Sequence, residues 1–434
     1  VSGAIDQPGA LADWRARAAA LDAADPLAAF RADFHIPPHG DGEQLYFCGN
    51  SLGLQPKAVR QALLDELDDW AIHGVEGHFQ GRFPWMPYHA FLREGLATLV
   101  GADPSEVVAM NSLSVNLHLM MASFYRPTAQ RHAILVEEGS FPSDRYAVES
   151  QVKLHGFDPA TSLIELPADA PDGTVSMAAI ERVLAERGSE IALVLWPGVQ
   201  YRSGQAFDLR EIARLGHAQG CIVGFDLAHA AGNLQLALHD SNADFAAWCS
   251  YKYLNSGPGA VAGCFVHARH AHSEDRPRLA GWWGHDQATR FRMDKRFIPT
   301  PGADGWQLSN PPILALAPLR VSLDVFTRAT MPALRAKSVQ LTGLLETMLR
   351  ERLADTLQVI TPADPAQRGC QLSLRVAGGR ERGRALFEFL GARGIVGDWR
   401  EPDVIRISPT PLYNRYAELP EFVAAVEAWR DCTG

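Results

Sequence analysis

The feature that most limits what this chain can fold into is an alternation of short, continuously apolar runs with amphipathic segments. The runs are VVAM from Val107, AILVEE from Ala133, SLIELP from Ser162, IALVLW from Ile191 and CIVGFD from Cys221. Between them, helical spacing predicts helices near Leu117 to Phe124, Ser143 to Leu154, Met177 to Arg187 and Leu209 to Gln219. Strands that are apolar at every position, not at every second one, are buried on both faces. Alternation with helices therefore predicts an α/β fold with a mainly parallel sheet covered on both sides. Such sheets bind ligands at the carboxyl ends of their strands, so polar residues that close these runs are the first functional candidates.

The pattern changes after Asn310-Pro311-Pro312. A long helical stretch from about Pro318 to Leu353, interrupted at Pro332, precedes strand-like LQVI, QLSLRV and VIRIS and helical RALFEFLGARG and ELPEFVAAVEAW. This predicts a smaller α+β domain. Upstream, Pro56 suits a first helical turn, and Val59, Leu63, Leu64, Leu67 and Trp70 recur at helical spacing before Gly74. The organisation expected is an N-terminal arm over 1–45 packing with the small domain, a large domain over 46–310 and a small one over 311–434.

Composition removes several classes. No apolar stretch approaches the roughly eighteen residues of a membrane span. Fifty Asp and Glu against forty Lys and Arg give a net charge of -10, which argues against nucleic acid as a partner. The six cysteines form no CxxC pair, and the first twenty residues lack a basic stretch followed by an apolar core, so a reducing, cytoplasmic setting is expected. His267, His270 and His272 form an HxxHxH run, but no carboxylate or cysteine completes a recognised ligand spacing, and no metal is expected.

The chemistry concentrates in GFDLAHAAG and WCSYKYLNSGPGAVAG. Asp226 and His229 follow one apolar strand, and Lys252, flanked by Tyr251 and Tyr253, follows another. A pyridoxal phosphate enzyme needs a lysine amine for its Schiff base and a carboxylate that keeps the pyridine nitrogen protonated. A lysine after a strand is by itself more often a solvated turn residue. Two observations favour the cofactor: the glycines behind Lys252, which allow close backbone approach, and Asn111-Ser112-Leu113-Ser114, which joins a strand to a helix where an anion would meet free backbone donors.

With these residues in place, the sequence resembles the kynureninases, a family of the aspartate aminotransferase-like, fold type I, pyridoxal phosphate enzymes. The likeness is carried by YFCGNSLGLQP at Tyr46, GRFPW at Gly81, NSLSVNLHLMMASFYRPT at Asn111, FPSDRYAVESQ at Phe141, DLAHAAGN at Asp226, WCSYKYLNSGPG at Trp248, GWWGH at Gly281 and SNPPI at Ser309. It extends to PLYN at Pro411. The resemblance implies a large domain with a mainly parallel seven-stranded sheet between helices and a smaller α+β C-terminal domain. It also implies pyridoxal 5'-phosphate as cofactor and hydrolysis of L-kynurenine, or of 3-hydroxy-L-kynurenine, to the anthranilate and L-alanine in tryptophan catabolism.

The resemblance further implies roles for single residues. Lys252 carries the cofactor and moves the Cα proton; Asp226 pairs with the pyridine nitrogen, with His229 near it; Phe141 stacks on the ring and Asp144 lies at its edge. Leu113 and Ser114 hold the phosphate, and Tyr251 reaches the phosphate or donates a proton. Arg406 takes the substrate α-carboxylate, and Ser51 and His78 lie towards the aryl ketone. Trp282 and Asn310 match residues supplied by a second subunit, which implies a homodimer with the site at its interface. Some relatives place a tyrosine one position after Tyr201, so Tyr201 and Arg202 have no assigned role. The rivals are an aminotransferase, a cysteine desulfurase, for which no cysteine sits in a suitable loop pattern, and an inactive scaffold, against which the joint presence of Lys252, Asp226 and Arg406 argues.

Overall fold

The computed structural model describes residues 10–273 and 276–433, so the first nine residues of the expected arm lie outside it. The chain divides into two compact units, one of residues 58–201 and 206–331, the other of residues 1–57, 202–205 and 332–434.

The larger unit holds a seven-stranded sheet. Its strands are β1 (Val107–Ala109), β2 (Ala133–Glu137), β3 (Leu163–Leu166), β4 (Ile191–Pro197), β5 (Ile222–Asp226), β6 (Phe245–Trp248) and β7 (Gly263–Val266), in the spatial order β1-β7-β6-β5-β4-β2-β3. Pairing is parallel from β3 through β6, and β7 runs antiparallel to both β6 and β1. Every residue of β1, β2, β6 and β7 is buried, as continuous apolar runs require. Helices α4 (Leu113–Phe124), α5 (Pro142–Leu154), α6 (Met177–Arg187) and α7 (Leu209–Ala218) fall where spacing places them. Gly224 in β5 is required by packing, because a Cβ there would lie 2.1 Å from the Phe245 ring.

The expected domain bounds differ from these units: residues 46–57 and 202–205, expected in the large domain, belong to the smaller unit. The boundary at 310/311 moves to 331/332, because helix α8 (Ile313–Ala329) packs on α2 (Ala58–His73) and α3 (Arg93–Val100) within the larger unit. The long helical pattern accordingly breaks at Thr330, whose φ is 62°, before α9 (Met331–Arg352) begins. In α2, Val59 is buried, but Leu64, Leu67 and Trp70 are exposed, so its apolar residues do not all face this unit's core.

The smaller unit has an antiparallel sheet of β8 (Leu357–Val359), β9 (Leu372–Val376), β10 (Asp398–Arg400) and β11 (Val404–Ile407), in the order β8-β9-β11-β10. Helix α1 (Leu11–Ala23) buries Trp14 and Ala18 in the same core as Leu341, Leu345, Leu372, Ile407 and Phe422.

Candidate active site

The parallel strands β2, β4 and β5 end at Glu137, Pro197 and Asp226, and β6 continues into the loop that carries Tyr251 and Lys252. These ends surround a cleft of about 200 Å³ in the larger unit. Eight expected residues line it: Leu113, Ser114, Phe141, Asp144, Asp226, His229, Tyr251 and Lys252. Buried strands fix the geometry: register sets Asp226 opposite Pro197 on one side and Ala247 on the other.

Lys252 Nζ lies 3.1 Å from His229 Nε2 and 5.9 Å from the centres of the Phe141 and Tyr251 rings. Asp226 is oriented by the backbone N–H of Ala228, which donates to its Oδ1 at 2.6 Å. Asp144 hydrogen-bonds to Asp226, and burial together with that neighbouring charge holds the Asp144 carboxyl well above the usual range, against the opposing pull of Lys252. A third carboxyl, Glu137, closes β2 in the same cleft. Burial pushes it up to about 8, with the Asp226 charge acting in the same direction and a hydrogen bond from Gln200 opposing it.

The opposite wall is built for an anion. Asn111, at φ 51°, turns the chain from β1 into α4, and its amide donates to Asn116 Oδ1 at 3.0 Å. The N-cap Ser112 makes no side-chain capping bond, so its hydroxyl is not committed to the helix. Ser114 Oγ lies 2.8 Å from Ser143 Oγ. The first turn of a twelve-residue helix thus offers hydroxyls and backbone N–H groups to the cleft. Phe141 is 41% exposed although it lines the cleft, and Tyr201 meets its ring edge to face at 5.3 Å.

These features fit pyridoxal phosphate. Three carboxyls are gathered about one lysine amine, so a cationic ring nitrogen would supply the charge that they lack. The uncommitted face of Phe141 suits a planar ring, and the α4 terminus suits a phosphate.

The remaining expected residues lie elsewhere. His78, in the larger unit, is outside the cleft lining; its Nδ1 is 2.9 Å from Val75 O and its ring packs on Trp85. Trp282 and Asn310 belong to the same unit, are exposed and do not line the cleft. Ser51 and Arg406 belong to the smaller unit. Arg406 is fully buried on β11, opposite Asp398 in the ladder, and its guanidinium meets the Asp398 carboxylate at 2.8 Å. Arg400 shares that carboxylate at 3.0 Å. The units divide between Tyr201, in the cleft, and Arg202, which pairs with Asp403 at 2.8 Å.

Sequence reasoning missed Glu137 and left Tyr201, which lines the cleft, without a role. A charged residue closing a strand that is otherwise apolar was the available signal for Glu137. The same rule had selected Asp226.

A family model described as the kynureninase C-terminal domain matches residues 334–426. A kynureninase of Xanthomonas euvesicatoria pv. vesicatoria (strain 85-10) is 68% identical over 415 residues, covering 96% of this chain and 98% of the relative. One of Xanthomonas campestris pv. campestris (strain B100) is 66% identical with the same coverage. Among solved structures, a cysteine desulfurase from Thermococcus onnurineus NA1 superposes with a TM-score of 0.73 at 17% identity, covering 90% of this chain and 95% of its own. The cysteine desulfurase CsdA from Escherichia coli gives 0.74 at 17%, covering 94% and 98%.

Proposed function

The chain belongs to the kynureninase family, and from that premise we propose that it hydrolyses L-kynurenine to anthranilate and L-alanine with pyridoxal 5'-phosphate held in the Lys252 cleft. The observation that carries this reading is the cleft itself, where one lysine amine, a carboxyl set and a helix terminus converge at strand ends. Bound pyridoxal phosphate supplies an electron sink that lets bonds at the substrate's Cα and Cβ break heterolytically.

The chain's own residues do the rest. Lys252 would hold the cofactor through its amine, and the same amine would take the proton from the substrate's Cα. His229 Nε2, within hydrogen-bond reach of Nζ, positions that amine. Asp226 would pair with the ring nitrogen and keep it protonated, and Asp144, hydrogen-bonded to Asp226 and held protonated by burial, would steady that carboxylate. Phe141 would cover the ring, and Leu113, Ser114 and the α4 terminus would hold the phosphate. Water adds at the γ-carbonyl and the Cβ–Cγ bond breaks to release anthranilate. Tyr251 protonates Cβ, Lys252 returns the Cα proton, and L-alanine leaves.

Arg406 receives the substrate α-carboxylate, a task suited to a planar bidentate donor already oriented by Asp398. Ser51 and His78 face the aryl ketone. Trp282 and Asn310 serve the cleft of a second copy in a homodimer. Their exposure supports that reading, as does the exposure of Trp70, Ile72, Val75, Phe79 and Leu314 on the larger unit.

The test is incubation of the purified protein with L-kynurenine and analysis of both products. Anthranilate and alanine in equal amounts support hydrolysis. Accumulation of the pyridoxamine form with a keto acid would replace it with aminotransfer.

A further inference from the structure

The far edge of the large sheet carries a cluster that the reaction does not use. Strands β1 and β7 pair antiparallel with Phe265 opposite Val107, which sets the residue before β1, Glu106, beside the residue after β7, His267. The short helix Leu238–Ser241 adds His239. Strands β5 and β6 run towards the Lys252 cleft and β7 returns from it, so this cluster lies at the end of the sheet opposite the cleft.

His239 Nδ1 lies 3.0 Å from both Glu106 oxygens, and His267 Nδ1 lies 3.7 Å from Glu106 Oε1. Asp103 Oδ2 is 3.7 Å from His239 Nδ1. One ligand atom from each of Glu106, His239 and His267 lies within 4.8 Å of the others. In a tetrahedral zinc site with bonds of about 2.0–2.1 Å, neighbouring ligand atoms are about 3.3 Å apart. The observed separations bracket that value. The two imidazoles stack at 5.1 Å with planes 21° apart.

The carboxylate is already held from behind, as second-shell donors hold metal ligands. Oε2 accepts from the Asp103 N–H at 2.9 Å and Oε1 from the Ala268 N–H at 2.6 Å. Exposure rises from 0% at the Glu106 side chain through 12% at His267 and 42% at His239 to 61% at Asp103, which gives an ion a way in.

We propose that Glu106, His239 and His267, with Asp103 as an outer ligand, form a binding site for a borderline divalent transition ion of the zinc class. Zinc replaces the proton between His239 and Glu106 and displaces the Arg269 N–H that bonds His267 Nδ1 at 3.1 Å. Its role is structural: it ties the start of β1 to the end of β7, away from the chemistry. The HxxHxH run contributes one ligand to it and not three, because His270 instead bonds Asp244 at 2.8 Å and His272 is exposed.

The experiment uses tag-free holoenzyme, dialysed against chelator and titrated with zinc chloride by calorimetry. One saturable equivalent per chain is expected, with zinc raising the melting temperature. His239→Ala removes the more exposed imidazole and with it one partner of the buried Glu106 carboxylate, so it should lower the zinc-free melting temperature somewhat, leave the turnover unchanged and weaken zinc binding at least 30-fold. Absence of a saturable equivalent in the wild type, or equal uptake by wild type and His239→Ala, overturns the site.

Discussion

Glu137 gives a prediction whose size follows from its surroundings. Its carboxyl is buried at the end of β2 and faces Asp226 from β5, Asp144 from α5 and the Gln200 amide. Those neighbours offer no cation of their own, and burial pushes Glu137 from 4.5 up to about 8. In the unfolded chain the same group loses its proton near 4.5. Between these values the folded protein binds one more proton than the unfolded one, so stability falls as pH rises through this window, by about 1.4 kcal/mol per pH unit. Above about 8 the slope ends, because both states are ionised.

Glu137→Gln keeps the shape and removes the titration. For cofactor-free protein, the variant should therefore gain on the wild type by roughly 2 kcal/mol between pH 6 and pH 8. Denaturant midpoints at the two pH values read this gain. Infrared difference spectra should show the carbonyl stretch of a protonated carboxyl in the wild type, lost near pH 8 and missing from the variant. Adding pyridoxal phosphate, whose ring nitrogen is cationic, should move that loss to lower pH. An unchanged gap between wild type and variant across the pH range, with no titrating carbonyl band, would mean that Glu137 is ionised in the folded protein throughout.

Three further outcomes follow from the same structure. Arg406→Ala should raise KM for the substrate on the order of 100-fold with a smaller change in kcat, reflecting a lost bidentate contact of about 3 kcal/mol; an unchanged KM would remove the carboxylate role. Gly224→Ala should destabilise the large unit by about 1–3 kcal/mol through overpacking against Phe245; an unaltered melting curve would show that the strand relaxes freely. Trp282→Ala should lower activity, and if each cleft draws Trp282 from a second copy, as proposed, mixing it with an inactive Lys252→Ala chain should restore part of that activity; no recovery would remove the shared site.

Much of this organisation was legible in the sequence because parallel sheets leave a strong trace. Runs such as IALVLW admit few positions other than a doubly covered strand, and a polar residue that ends one, as Asp226 does, must stand at the ligand edge. Lys252 was legible through its motif, since a lone lysine after a strand carries little information. Glu137 escaped because VEE reads as the solvated end of a strand, and only the packing of β2 beside β4 shows its carboxyl turned into the cleft.

The unit boundary was misplaced for a related reason. Asn310-Pro311-Pro312 breaks the chain locally, but a compact unit ends where packing ends, and α8 still packs on α2 and α3. The apolar stripe of α2 has a period that does not state what covers it. The Glu106, His239 and His267 cluster joins residues more than 130 positions apart in sequence, a spacing that no local motif encodes.

The proposed reaction depends on a cofactor carried by Lys252. Borohydride reduction of the holoenzyme, followed by proteolysis and mass spectrometry, tests it most directly. One reduced pyridoxyl group per chain, located on Lys252, is expected, together with a Lys252→Ala protein that lacks the internal Schiff-base absorbance and forms no anthranilate. A label on another lysine, or a Lys252→Ala protein that still releases anthranilate from L-kynurenine at the wild-type rate, would contradict it.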